Sequence, residues 1–476
     1  MPESGVPRRD VSTVAGRAGG PARSSAEALV MEVERRSRAV RGCCSLDQPV
    51  VAGRSYVDEL KAPGKSFQIS KQEIWDAWLK VRGNKGAPGI DGVGLAEFEK
   101  DLKDNLYRVW NRMSSGAYFP PPVMAVEIPK PHGGGTRVLG VPTVADRIAQ
   151  TVAAARLEAV VEPMFHSDSY GYRPRRGALD AVRACRRRCW KFDWVIDLDI
   201  RKFFDSVPWD LVVKAVQAHT DHDTRWVVLY VRRWLAAPLQ LPDGMLQERE
   251  RGTPQGSAIS PVLANLFMHY AFDRWLTREF PVVRFERYAD DAVIHCVSSR
   301  QAHTVLVALH ERMAEVGLEL HPDKTKIVYC KDSNRRGLFE HTSFTFLGYT
   351  FRPRGTRRAD GVRFTSFLPA ISKAALKKIS AEARSWRLHR RVNSDGDDIA
   401  RLINPKVRGW MTYYGSSNRA VLYPLLRRIN TYLLRWIMRK YKQHSTWKKA
   451  IKLLAAVAAQ QPRYFAHWAW LRPATG

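Results

Sequence analysis

Two short apolar runs that break off at aspartates constrain this chain more than any other feature. They are WVIDLDI (194–200), which opens directly onto RKFFD, and AVIHCV (292–297), which follows Asp290 and Asp291. Each has the length of a buried strand. A carboxylate at the end of such a strand must reach solvent or a ligand, because an isolated charge is too costly to bury. VVRFERY (282–288) precedes the second run, so the two together read as a hairpin joined at Ala289, Asp290 and Asp291. If both runs end at one edge, rigid elements hold acidic groups from distant segments side by side.

Helical patterns alternate with these strands. Ile74, Trp75, Trp78 and Leu79 recur on one helical face until the glycine-rich NKGAPGIDG (84–92), and a second helix carries Leu95, Phe98, Leu102 and Leu106. Residues 118–141 read as an extended hairpin whose PKPHGGG turn is flanked by Lys130 and Arg137. Helical signals resume from Asp146 to Val161 and again after Pro208, and the loop RGTPQGSAISP (251–261) precedes another helix from Val262. After FTFLGYTF (344–351) and a basic loop, residues 371–445 read as helices only. This order predicts an α+β, palm-like unit followed by an all-α unit. The segments expected are a mobile basic arm at 1–65, the α+β unit at 66–365, a helical unit at 366–445 and a basic tail at 446–476.

A chain of 476 residues exceeds what one core usually organises. No uncharged apolar run approaches the ~20 residues that cross a bilayer, so no membrane role is expected. The formal charge of +30 calls for a polyanion, and it is uneven: from Ile371 onward 22 basic residues stand against 4 acidic ones. Six scattered cysteines without a secretory segment point to free thiols in a reducing compartment. Cys185 and Cys189 could meet on a helix, but no second Cys or His pair follows at zinc spacing. Glu3, Asp10 and Glu27 argue against an acid-poor organellar leader. A bacterial cytoplasm, with nucleoid association when bound to DNA, is expected.

Carboxylates converging from separate segments suit hard divalent ions, and a pair of such ions is what nucleotidyl transfer requires. Asp199, Asp290 and Asp291 meet that demand. Read alone, Asp290 and Asp291 could simply cap a turn; the second strand-end aspartate, the PQG loop and the basic hairpin upstream favour a site. Asp197 is a competitor one step deeper on the same strand face as Asp199.

The blocks IPKPHGGGTRVLGVPTVADRIAQ, YGYRPRRGALDAV, VIDLDIRKFFDSV, RGTPQGSAISPVLANLFMH, RYADDAVIHC and GLELHPDKTKIV, in this order, resemble those of group II intron reverse transcriptases, with the likeness running from Ser66 to Tyr441. The resemblance implies a right-hand polymerase, fingers and palm, followed by a helical thumb or maturase domain. It makes Asp199, Asp290 and Asp291 the catalytic, metal-binding triad, with the backbone of Ile200 beside two Mg2+ ions. Lys130 and Arg137 would hold the triphosphate of an incoming dNTP, a task suited to a point charge and a planar fork. Phe204 would lie against its sugar, Gln255 against nucleotide and template, and Lys324 near primer or phosphates. The bland readings are solvated charges for Lys130, Arg137 and Lys324, a core aromatic for Phe204 and a plain loop for Gln255.

IARLINPKVRGWMTYYG and YPLLRRINTYLLRWIMRKYK resemble the maturase region of the same family. Their periodicity turns Leu402, Trp410, Leu433 and Trp436 inward and leaves Arg401, Lys406, Arg408, Arg428 and Arg435 for RNA. No paired cysteines follow Cys330, so the HNH endonuclease carried by many relatives is not expected. The function implied is an RNA-directed DNA polymerase that binds its group II intron RNA to promote splicing and copies it from a DNA primer at target DNA, as monomer or dimer. The alternatives are a domesticated relative in host defence or repair, and a maturase-only RNA-binding splicing factor.

Overall fold

The computed structural model describes residues 67–129, 136–471 and 473. The expected N-terminal arm and Lys130 lie outside the described residues.

The first helix, Lys71–Gly83, starts at a capping box in which the Ser70 hydroxyl accepts from the Glu73 N–H while the Glu73 carboxylate accepts from the Ser70 N–H. Its buried stripe is Ile74, Ala77, Trp78 and Val81. Trp75 and Leu79, expected on that face, are 42% and 46% exposed, because each lies about 100° around the helix from its buried neighbour.

In chain order the strands are β1 (Val123–Pro129), β2 (Thr136–Val141), β3 (Trp194–Leu198), β4 (Leu239–Gln240), β5 (Leu246–Gln247), β6 (Arg284–Tyr288), β7 (Asp291–Cys296), β8 (Lys326–Tyr329), β9 (Phe344–Phe346), β10 (Tyr349–Arg357) and β11 (Arg363–Ile371). They form three sheets: β2-β1-β4-β5, β6-β7-β3-β8 and β11-β10-β9. The expected hairpins at 118–141 and 282–297 are present as antiparallel pairs.

The β6-β7-β3-β8 sheet is covered on both faces, which is why its strands read as nearly continuous apolar runs. Ile196, Leu198, Ala292 and Ile294 face the largest core, with helices Val144–Val161, Trp209–Gln217, Trp226–Ala236, Ser260–Met268 and Ser299–Glu315. Val195, Val293 and Val328 face helix Ala178–Cys189 and the aromatic side of the third sheet: Phe344, Phe346, Tyr349, Phe351 and Phe367.

The segment expected as a basic loop after residue 351 is instead the long β10–β11 hairpin. Phe351 and Phe367 bury one side of it, while Arg352 and Arg354 lie on the other. Pro353 is tolerated because β9 reaches only Tyr349–Phe351, leaving that stretch of β10 without a partner on the proline side.

Beyond Ile371 the chain is helical: Lys373–Ser385, Gly396–Tyr414, Tyr423–Lys440 and Trp447–Gln460 enclose a separate core. Of the residues expected inward, Leu433 and Trp436 are buried, and Leu402 and Trp410 pack at the margin. The expected break at 446 is not a packing boundary, since Leu454, Ala458, Phe465 and Trp468 fill the same core as Ile399 and Leu433. Cys185, Cys189, Cys296 and Cys330 are buried free thiols. Among the described residues no helix is long and apolar enough to cross a membrane.

Candidate active site

Strand register decides where the acidic groups meet. β3 runs antiparallel to β7 with Leu198 opposite Ala292, and one further step sets Asp199 abreast of Asp291. Facing residues of antiparallel strands have Cα atoms roughly 4.5–5.5 Å apart. Because side chains alternate, Asp197, Asp199 and Asp291 share the face of Val195 and Val293. Asp290 completes the two-residue turn between β6 and β7, in which Ala289 adopts a left-handed φ of 60°.

Ile200 lies just past β3, bridged to Leu320. The flanking bonds, His321 N–H to Asp199 C=O and Arg201 N–H to Glu319 C=O, are both 2.8 Å long. This pattern leaves the Ile200 C=O pointing away from Leu320, toward the side on which β7 lies.

The turn is held from behind by Arg287, fully buried with its partner Asp273. Its guanidinium donates to both Asp273 carboxylate oxygens (2.7 and 2.6 Å), to Asn265 Oδ1 (3.1 Å), to Ser169 Oγ (2.8 Å) and to the Ala289 C=O (2.9 Å). Asp273 belongs to a π-helical turn, His269–Asp273, a local widening of the helix often found at functional places. Gly171 packs so closely under the turn that an added Cβ would lie 2.4 Å from the Ala289 nitrogen.

The carboxylates resist ionising together. Burial, then the charges of Asp197, Asp290 and Asp199, push Asp291 well above the usual carboxylate range, opposed by a hydrogen bond from the Leu347 N–H. Burial raises Asp290 too, with Asp199 adding to it and Arg287 and Lys324 opposing. Asp197 is pushed up to about 7 by burial, with Lys326 opposing. Its side chain is 15% exposed against 40% for Asp199, so Asp199 is the better placed of the two to meet a ligand. Lys324 Nζ stands 3.4 Å from Asp199 Oδ2. Crowded, partly desolvated carboxylates of this kind fit divalent cations, whose charge removes the mutual repulsion and whose hardness suits oxygen donors.

Neighbouring loops are locked to one another. Thr253 donates from its backbone to the Phe204 C=O (2.6 Å), and Gly252, at φ 81°, lies against the Phe204 and Asp205 carbonyls. The half-buried Phe204 ring packs edge-on against Phe203. The Gln255 C=O accepts from Gly140 of β2 (2.8 Å), and Gly256, at φ 121°, lies so close to the Gly140 C=O that a side chain would collide with it. Gln150 completes the lock by accepting at Oε1 from the Ser257 hydroxyl and the Ala258 N–H. Its own Nε2 donates to the buried Asp146 carboxylate, which also accepts from Tyr118 and Trp234. Arg137 is exposed on β2. Between it and the turn lies Tyr172, whose hydroxyl is raised by burial and by Asp290 and lowered by Arg137.

On the helical unit, Arg401, Lys406, Arg408, Arg428 and Arg435 are all exposed. Two of them are engaged: Arg401 pairs with Asp398, and Lys406 with Glu382. Arg408, Arg428 and Arg435 have no ion-pair partner among the described residues. Arg387, Arg390, Arg435 and Arg439 gather around His389 and, with its partial desolvation, lower its pKa.

Sequence reasoning passed over Arg287, Asp273, Asn265, Gly171, Tyr172, Asp146 and Gln150. All lie in or beside the quoted blocks, yet a buried polar residue breaks apolar periodicity without saying what it bonds.

Two family models match: reverse transcriptase (RNA-dependent DNA polymerase) over residues 128–351, and the group II intron maturase-specific domain over 376–454. Protein YkfC of Escherichia coli is 29% identical over 346 residues, covering 64% of this chain and 86% of that protein. The group II intron-encoded protein LtrA of Lactococcus lactis subsp. cremoris is 23% identical over 443 residues, covering 75% of this chain and 71% of LtrA. A 91 kDa protein encoded in the cob intron of Schizosaccharomyces pombe is 30% identical over 207 residues, 43% of this chain and 25% of that protein.

Proposed function

The chain belongs to the group II intron reverse transcriptase and maturase family, and on that premise we propose that it copies intron RNA into DNA at the Asp199, Asp290 and Asp291 cluster, with Mg2+ and dNTPs. The observation that carries this reading is the β3–β7 register, which sets Asp199 abreast of Asp291 with Asp290 in the adjoining turn.

Asp199, Asp290, Asp291 and the Ile200 carbonyl would hold two Mg2+ ions, which when bound lower the pKa of a primer 3′-hydroxyl and stabilise the departing pyrophosphate. Everything else falls to the chain. The Arg287 network fixes the turn, so that the carboxylates need no rearrangement when substrate arrives. Arg137, with Lys130, would clamp the triphosphate. Phe204, tied to the 252–255 loop, would stand against the sugar, and the close approach of Gly140 and Gly256 would keep Gln255 at the base pair. Lys324 would exchange Asp199 for a phosphate once metal neutralises the carboxylate.

In this reading the α+β unit is fingers and palm together, and the helical unit is the thumb and maturase domain. Exposed arginines there would track intron RNA phosphates, with template RNA, DNA primer and target DNA as further partners.

Primed RNA-template extension tests the assignment. The wild-type protein should add dNTPs only with a divalent ion, and Asp290→Ala should abolish synthesis while intron RNA affinity changes less than about threefold. Equal loss of both would show Asp290 to be structural, and no extension by the wild-type protein would leave an RNA-binding splicing factor.

A further inference from the structure

The α+β unit and the helical unit meet at a pair of tyrosines. Between β9 and β10 the chain reverses in two residues, Leu347 at φ 51° and Gly348 at φ 78°, with Phe346 paired to Tyr349. Both positive φ values are what a two-residue hairpin turn demands, and leucine is a poor residue to supply one. Such a conformation persists only when its surroundings hold it.

Two holds are visible. The turn packs against β7, where the Leu347 backbone N–H favours the charged form of Asp291, and the Leu347 C=O accepts from the Tyr413 hydroxyl at 2.9 Å. Tyr413 is the penultimate residue of helix Gly396–Tyr414. The tie is reciprocated, because the fully buried Tyr349 hydroxyl donates to the Tyr413 C=O and bonds Ser416 Oγ at 3.0 Å. That carbonyl is one of the last four of its helix, which lack partners within the helix itself. The rings of Tyr349, Tyr413 and Tyr414 pack within 5.8 Å of one another. Hydrogen bonds thus tie a helix bearing Arg401, Lys406 and Arg408 to the turn that packs beside Asp291.

We propose that Tyr413 is a positioning residue for DNA synthesis: by holding the Leu347 carbonyl it fixes the turn that packs against β7 beside Asp291, and so makes the RNA-binding helix part of the support of the active site. This inference rests on the polymerase reading given above. Arg408 lies five residues from Tyr413, about 7.5 Å along the helix axis and roughly 140° around it, so RNA docked there bears on the tie through the helix that carries both. The turn is the element both units share. Loss of the hydroxyl frees Leu347 to relax toward negative φ and loosens the turn beside Asp291.

Tyr413→Phe removes the bond and keeps the ring. Extension should show a kcat lowered by about three- to tenfold, the loss expected for one hydrogen bond to a supporting group. The Mg2+ concentration for half-maximal rate should rise, while KM for dNTP and affinity for intron RNA stay within about twofold. Amide exchange at Leu347, read by NMR or mass spectrometry, should quicken at least about tenfold. Unchanged kcat and Mg2+ dependence alongside quickened exchange would show the tie to be structural only. Unchanged exchange would show that Tyr413 does not hold the turn. Because the exchange readout needs no activity, failure of the polymerase reading itself would appear separately, as a wild-type protein that does not extend a primer.

Discussion

Arg287 offers the sharpest quantitative test, because it is a fully buried charge that ties Asp273, Asn265 and Ser169 to the turn bearing Asp290. Replacing it with leucine leaves the Asp273 carboxylate fully buried without its cation and removes the bonds to Asn265, Ser169 and the Ala289 carbonyl. Breaking a buried pair from one side costs about 3–5 kcal/mol, since the surviving charge stays desolvated. For a unit of this size that corresponds to a fall in Tm of roughly 10 °C. Removing both charges, as Arg287→Leu with Asp273→Leu, should restore about half or more of the loss, because no uncompensated ion remains. Stability would return without activity, since nothing then holds the Ala289 carbonyl and Asp290 is free to move. The assay is urea denaturation of the single and double variants, paired with primer extension. The reasoning is refuted if Arg287→Leu costs under about 1 kcal/mol, if the two substitutions are additive, or if the double variant extends primers normally.

Three further outcomes are expected. Gly171→Ala would press a methyl group into the Ala289 nitrogen and displace the turn by a fraction of an ångström to an ångström, lowering kcat by about a hundredfold in primer extension while RNA binding is retained. Asp146, pushed up to about 6 by burial despite its three side-chain donors, contributes stability that is complete below the ordinary carboxylate range and lost as pH rises through about 6. Urea midpoints should therefore fall from about pH 4 to pH 7, on the order of 3 kcal/mol, with that slope absent in Asp146→Asn. Replacing Arg408, Arg428 and Arg435 together with alanine should reduce the slope of log affinity against log salt for intron RNA by about 2 to 3, whereas Arg401→Ala with Lys406→Ala should change it less, because those two already have acidic partners.

What could be read from residues alone was what local pattern encodes. Apolar runs of strand length, glycine-rich turns and helical stripes gave the α+β unit, its two long hairpins and the helical unit that follows. Pattern misled where a second force intervened. The β10–β11 hairpin reads as a loop because arginines line its open side while two phenylalanines hold it to the sheet. Residues 447–471 read as part of a basic tail because their lysines stand out in the chain, while the docking of Leu454, Phe465 and Trp468 depends on distant helices.

The order of the blocks and the two strand-end aspartates were written in the chain itself, since a buried strand must end somewhere and an acid at that end must meet solvent or a ligand. The tertiary structure alone decided that Asp199 stands abreast of Asp291, that burial raises Asp197 to about 7, and that Arg287, Gly171 and Tyr413 support the turns around them. Strand register, burial and hydrogen bonding between distant segments are properties of the packed molecule. Periodicity reports only which way a side chain faces, and not what it finds there.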